Sequence, residues 1–192
     1  MSLTAFFSYI IITSITPGPS NLLLMNESRK HGLKGAWKFN SGIVAGFILL
    51  GIIGTILTKT VYNWIPAVEP YLKVLGALYL LFIAYKIMFD KSSKEEDTIE
   101  LPSFLSGFLF QLINIKSILY FITAMATFIL PFEASISSVI LYAGVTIIIG
   151  CLGLLLWAAF GSAFKKFFNK YTRSINLIMC LLLIFSAITI FK

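Results

Sequence analysis

The chain has 192 residues, 58% of them hydrophobic and only 12% charged, with a mean hydropathy of +0.93 and a formal net charge of +7. Soluble domains carry roughly 25% charged residues, so this balance excludes a soluble globular protein; with apolar runs near the membrane-spanning length and no β-barrel alternation, the sequence predicts an all-α membrane protein. Its basic residues sit in short segments between apolar runs, which topology explains better than nucleic acid does, so the expected surroundings are membrane lipid.

Six spans fit the apolar pattern. The first covers residues 3–25, lacks the basic start and cleavage site of a signal peptide, and is interrupted at Thr16-Pro17-Gly18-Pro19-Ser20-Asn21. Two prolines around a glycine cannot continue a helix, because each lacks a backbone N–H and its ring crowds the preceding turn. Carbonyls left without donors in hydrocarbon are costly, so such a break persists where protein, water or a ligand satisfies it. We read it as a site; a plain proline kink repaired by neighbouring helices is the bland alternative.

The second span, residues 39–58, is uncharged and carries Gly42, Gly46, Gly51 and Gly54, a spacing that lets another helix approach closely. A helix wall thinned beside a substrate path would look the same. The third span covers residues 67–88, with Glu69 and Lys73 at one end and Lys86 at the other. Residues 90–102 hold most of the acidic side chains and read as a solvated linker. The fourth apolar stretch, 103–132, is interrupted only by Asn114-Ile115-Lys116; the fifth falls within 134–164 and the sixth within 174–191. Cys151 and Cys180 stand singly in apolar runs and read as small packing residues.

Orientation follows from the basic residues. Arg29, Lys30, Lys34, Lys38, Lys86, Lys91, Lys94, Lys165, Lys166, Lys170 and Arg173 follow spans one, three and five, against Lys59, Lys73 and Lys192 on the other side. Eleven against three places those loops in the cytoplasm and both termini outside. The linker divides one integral membrane domain into a three-helix portion at 1–89 and another at 103–192, joined by the cytoplasmic segment 90–102. An odd number of spans inverts the second portion relative to the first, the plan of an inverted-topology repeat whose substrate site lies where broken helices meet.

Lys116 sits near the middle of the fourth stretch, with helix ends too far away for snorkelling, so its ammonium must find partners inside. A structural lysine, bonded to carbonyls freed by the proline break or held neutral by burial, is one reading. A lysine that neutralises an anionic substrate group is the other, and the one we prefer. Every carboxylate falls in a loop or at a span end. The buried inventory is therefore a positive charge, a helix N-terminus near Ser20 and Asn21, and neutral hydrogen-bonding groups, which suits the carboxylate of a small zwitterion. The candidate substrate-binding set is Thr16, Pro17, Gly18, Pro19, Ser20, Asn21, Gln111, Asn114, Lys116 and Tyr120. The break near Gly18 and the Lys116 ammonium are expected to meet halfway through the bilayer.

At these residues the chain resembles the LysE/RhtB family of bacterial amino-acid exporters, over essentially its whole length. Thr16-Pro17-Gly18-Pro19 and Asn21 match the family's first-span motif, with Ser20 in place of an asparagine, and Gly76, Tyr79, Leu80 and Lys86 match its third-span pattern. Most members have Asn-Pro-Lys where this chain has Asn114-Ile115-Lys116, so a second break as sharp as the first is not required. The stretch from Gln111 through Tyr120 to Pro131 resembles the cysteine/O-acetylserine exporter subgroup, which also lacks that proline. The resemblance implies export of small neutral amino acids or derivatives across the cytoplasmic membrane of a bacterium, coupled to the proton gradient, by alternating access. No buried carboxylate offers itself as the proton carrier. Competing readings are an exporter of a basic amino acid or cation, a membrane-embedded enzyme, or a structural membrane subunit. With one histidine, His31, and no metal-ligand spacing, we expect no catalytic residue, metal or cofactor. Self-association into a homo-oligomer stays open.

Overall fold

Helix is the only regular secondary structure among the described residues, as a backbone that must satisfy its own polar groups in hydrocarbon requires. A computed structural model of the chain describes residues 2–61, 70, 71, 74, 77, 78, 80–82, 84, 85, 88, 103–132, 135–164 and 171–189. Helix α1 spans Leu3–Ile15, α2 Pro19–Gly35 and α3 Trp37–Val61. The described residues between 70 and 88 are also helical. Helix α4 spans Phe104–Leu112, and α5 spans Ile115–Thr123 before passing into a π-helical turn at Ala124–Ile129. Helix α6 spans Ile136–Ala163 and α7 spans Thr172–Thr189.

Among the described residues, Trp37–Ile56 and Ile136–Ala163 are long and apolar enough to cross a membrane. The pair Phe104–Leu112 and Ile115–Ile129 qualifies as a third span, bent by 54° at its break. Helix α1 is apolar but short: its 13 residues rise about 20 Å against a hydrocarbon core of roughly 30 Å. Large apolar side chains such as Ile12, Ile56, Ile136 and Leu156 point outward, while Phe6, Ile10, Leu22, Leu24, Ile43, Met125, Met179 and Leu183 fill the interior.

Helices from before the linker pack on helices from after it. Helix α2 lies chiefly against α6, and α3 against α4. Small residues make both contacts close. A methyl group at Gly42 would overlap the Phe104 carbonyl, one at Gly107 the Phe39 carbonyl, and one at Gly161 the Met25 carbonyl. Backbone therefore touches backbone at these three points, at one glycine each of the second, fourth and fifth apolar runs.

Three sequence readings need correction or fall out of view. The first span does not end at residue 25: α2 runs on to Gly35, bending at Gly32, whose φ of +72° is a value that glycine adopts readily. Arg29, assigned above to a cytoplasmic loop, is consequently helical and buried, donating to Asn26 Oδ1 at 3.0 Å and to Asn176 Oδ1 of α7 at 2.9 Å. Beside it, Asn40 of α3 donates to Ser28 Oγ at 3.0 Å. His31 is helical too and lies 3.6 Å from Glu27. These polar contacts continue the helix past the apolar pattern. In the fourth stretch the interruption is shorter than expected and earlier, at residues 113 and 114, because Ile115 and Lys116 already belong to the first turn of α5. The linker 90–102, Gly76, Tyr79 and Lys86 lie outside the described residues.

Replacing Gly107 with Val forces two helix backbones apart and is expected to destabilise the protein by about 1–3 kcal/mol. Gly144, where an added methyl meets nothing within 4 Å, is the control: Gly144→Ala is expected to stay within about 0.5 kcal/mol. Melting temperatures in detergent check both, and equal values would refute the close-packing account.

Candidate functional site

Pro17 and Pro19 supply no N–H, and the last carbonyls of α1 must be met by side chains. They are. The Asn21 amide donates to Ser14 O at 3.0 Å and to Thr16 O at 2.9 Å. Trp157 of α6 donates its indole N–H to Ile15 O at 3.1 Å, and Lys116 Nζ donates to Thr16 O at 2.6 Å. A carbonyl left without a donor away from water would cost about 1–3 kcal/mol, so Asn21 from the next turn and two distant side chains, Lys116 and Trp157, hold the break in this shape.

Gly18 is the N-cap of α2 in fully extended backbone (φ −158°, ψ 174°), a conformation open to any residue. Its lack of a side chain serves space. A methyl there would fall 2.6 Å from Lys116 Cδ and 2.8 Å from Nζ, so the lysine reaches Thr16 only across a glycine. Pro19 then opens α2, where its missing N–H costs nothing.

The second break forms without a proline. Asn114 leaves the helix (φ −74°, ψ 102°) and caps the next one, its Oδ1 accepting from Lys116 N at 3.1 Å and its carbonyl from Ser117 N at 3.0 Å. The Asn114 amide donates to Ser20 Oγ, Ser20 donates to Gln111 Oε1, and Gln111 donates to Ser117 Oγ at 2.7 Å. Gln111 and Ser20 are buried, so this chain of bonds stitches the start of α2 to the start of α5 away from water. Two helix N-termini from opposite halves of the chain thereby converge.

Between them lies a cavity of about 30 Å³, room for about two water molecules. Gly18, Ser20, Asn21, Asn114, Lys116 and Tyr120 line it, and Thr13, Ser14, Phe47, Ser117, Gly150 and Leu154 complete its wall. No carboxylate is among these residues. Tyr120 is fixed by donating to Thr146 O at 3.0 Å, with its ring against Tyr9 and Phe47. The lining thus holds one ammonium, from Lys116, the hydroxyls of Ser14, Ser20, Ser117 and Tyr120, and the starts of α2 and α5.

Of the ten sequence candidates, six line the cavity. Thr16 contributes only its carbonyl, its hydroxyl donating back to Ile12 O at 2.6 Å. Pro17 is exposed, Pro19 is buried as the first residue of α2, and Gln111 stands behind Ser20 as support. Thr13, Ser14 and Ser117 were within reach of sequence reasoning, one helical turn before the first break and one residue after Lys116. Phe47, Leu154 and Trp157 carried no local signal, being apolar or aromatic residues in apolar helices, and Gly150 showed only as one of the glycines of the fifth apolar run. Among the described residues no three of His, Cys, Asp and Glu gather as metal ligands; Cys151 and Cys180 are free.

Comparison with known proteins gives a consistent picture. A family model described as LysE type translocator matches residues 11–191. The cysteine/O-acetylserine efflux protein of Escherichia coli O139:H28 is 32% identical over 189 residues, 98% of this chain and 97% of that protein. The proteins of the same name from Escherichia coli K12 and Shigella flexneri serotype 5b match at the same identity and coverage. No solved structure matches the chain.

Replacing Asn21 with Leu removes a donor from both Ser14 O and Thr16 O. The expected cost is about 1–3 kcal/mol for a buried group left unsatisfied, seen as a lowered melting temperature in detergent. An unchanged melting temperature would mean that the break does not depend on this amide.

Proposed function

This chain belongs to the LysE type translocator family, a transporter and not an enzyme, and we propose that it exports small neutral amino acids or their derivatives, of the cysteine and O-acetylserine kind, across the bacterial cytoplasmic membrane. The observation that carries this reading is the Lys116 ammonium resting on Thr16 O at 2.6 Å, beside a cavity with two helix N-termini and no carboxylate. The relatives' names supply the substrate class.

The substrate's two charged groups match what the cavity holds. Lys116 turns from Thr16 O to the incoming carboxylate, assisted by the N-termini of α2 and α5. That movement exposes Thr16 O, which the substrate's ammonium then takes. One lysine thus serves as stand-in for the substrate when the site is empty and as its counter-ion when it is full. A cation or a basic side chain would meet an ammonium with no carboxylate to offset it, which disfavours the basic-amino-acid and metal-cation alternatives. The cavity as it stands has room for about two water molecules, and on this reading the surrounding helices part to admit the substrate.

The direction of that motion follows from an inverted-repeat reading. Each half runs as a short helix, a break, a second helix and a long glycine-bearing helix: α1, α2 and α3 in one, α4, α5 and α6 in the other. On this reading 1–89 and 103–192 are the two repeats of a six-span protein with both termini outside, the cavity lies at mid-membrane, and rocking of one repeat against the other opens it to each side in turn. Coupling to the proton gradient follows the family resemblance.

Lys116→Met is expected to abolish efflux from cells or vesicles loaded with cysteine or O-acetylserine while the protein still inserts in the membrane. Unchanged efflux would reduce Lys116 to a structural prop for the proline break. In loaded vesicles, efflux with and without an imposed pH gradient tests the coupling: equal rates would reject proton exchange, and export of lysine alone would reject the zwitterion site.

A further inference from the structure

The cavity has two chemically different sides. Its polar groups come from α1, the start of α2 and α5, whereas the apolar part of the lining is Phe47 from α3, with Gly150 and Leu154 one turn apart on α6. A zwitterion held by its charged groups on the first side must direct its side chain toward the second. What stands there decides which amino acids fit.

Phe47 is buried and held in place by neighbours, its ring centroid 5.7 Å from that of Tyr120 and 4.7 Å from that of Phe121. Its far edge is seated directly on Gly150, so closely that a methyl group at position 150 would overlap ring atoms Cζ and Cε1. The ring therefore cannot retreat toward α6, and it cannot turn aside without displacing Tyr120 or Phe121. Interiors packed to this density respond to the loss or gain of a few carbon atoms.

We propose that the Phe47 ring, seated on Gly150, is the wall that limits the length of the substrate side chain. This rests on the reading of the cavity as the amino-acid site. With the ring in place, a side chain of a few heavy atoms is accommodated and a longer aliphatic or aromatic one is turned away. Gly150 is the matching half of the device, because only the absence of a side chain lets the ring sit that far back from the polar groups.

The test is efflux from vesicles loaded with cysteine and leucine in equal amounts. Phe47→Ala is expected to raise the leucine-to-cysteine efflux ratio by about tenfold or more, the scale on which pockets discriminate single methylene groups. Gly150→Ala is expected to push the ring into the cavity and depress efflux of cysteine. The double variant Phe47→Ala/Gly150→Ala is expected to recover efflux, because the methyl at 150 then meets no ring. If Phe47→Ala fails to reach the membrane, Phe47→Leu carries the same expectation of a raised ratio. An unchanged ratio in a variant that still exports cysteine overturns the wall while leaving the site intact, as does a Gly150→Ala defect that the double variant does not relieve. If Lys116→Met in the same vesicles also leaves efflux untouched, the site reading falls first and the wall with it.

Discussion

The constraint on which this structure turns is that a helix broken at Thr16-Pro17-Gly18-Pro19 leaves carbonyls that must find donors away from water. Asn21 meets Ser14 O and Thr16 O, Trp157 meets Ile15 O, and Lys116 meets Thr16 O. The donors come from three separate parts of the chain. Satisfying one short stretch of backbone therefore determines where α2, α5 and α6 stand relative to α1.

The same requirement produces the cavity. Donors that reach the break have to pass through space that a regular helix would have filled, and Gly18 is small so that the Lys116 side chain can cross it. The Ser20, Gln111, Asn114 and Ser117 network then locks the second helix start against the first. A polar pocket with an ammonium and no carboxylate is what remains between them. On the proposed reading, structural and functional roles of Lys116 coincide, since the bond that props the break is the one a bound zwitterion is proposed to replace.

Away from the break, α2 carries on past the apolar pattern as far as Gly35 because Arg29 and Ser28 find polar partners on α7 and α3. A sequence pattern that marks where lipid ends does not mark where a helix ends. Buried hydrogen bonds can extend helix beyond hydrocarbon, and which residues supply them depends on helices distant in sequence. The second break shows the converse. Asn114 bends the chain by capping α5 with its own side chain, and the proline that the family resemblance made conspicuous by its absence is not needed there.

The sequence by itself determined the all-helical character, the place of the first break, the glycine-lined helix contacts and the choice of Lys116, Asn114, Ser20 and Asn21 as residues of interest. Each follows from a local property: apolar composition, missing N–H groups, the volume of a side chain, a charge deep in an apolar run. Only the tertiary structure decided that Gln111 stands behind the cavity, that Thr16 acts through its carbonyl, and that Phe47, Gly150, Leu154 and Trp157 face the break at all. Phe47, Leu154 and Trp157 look like every other apolar or aromatic residue in their helices, and Gly150 like the other glycines of its own. Their roles arise from which face of α3 and α6 turns toward the gap, and helix rotation is set by packing between segments distant in sequence, α3 on α4 and α2 on α6.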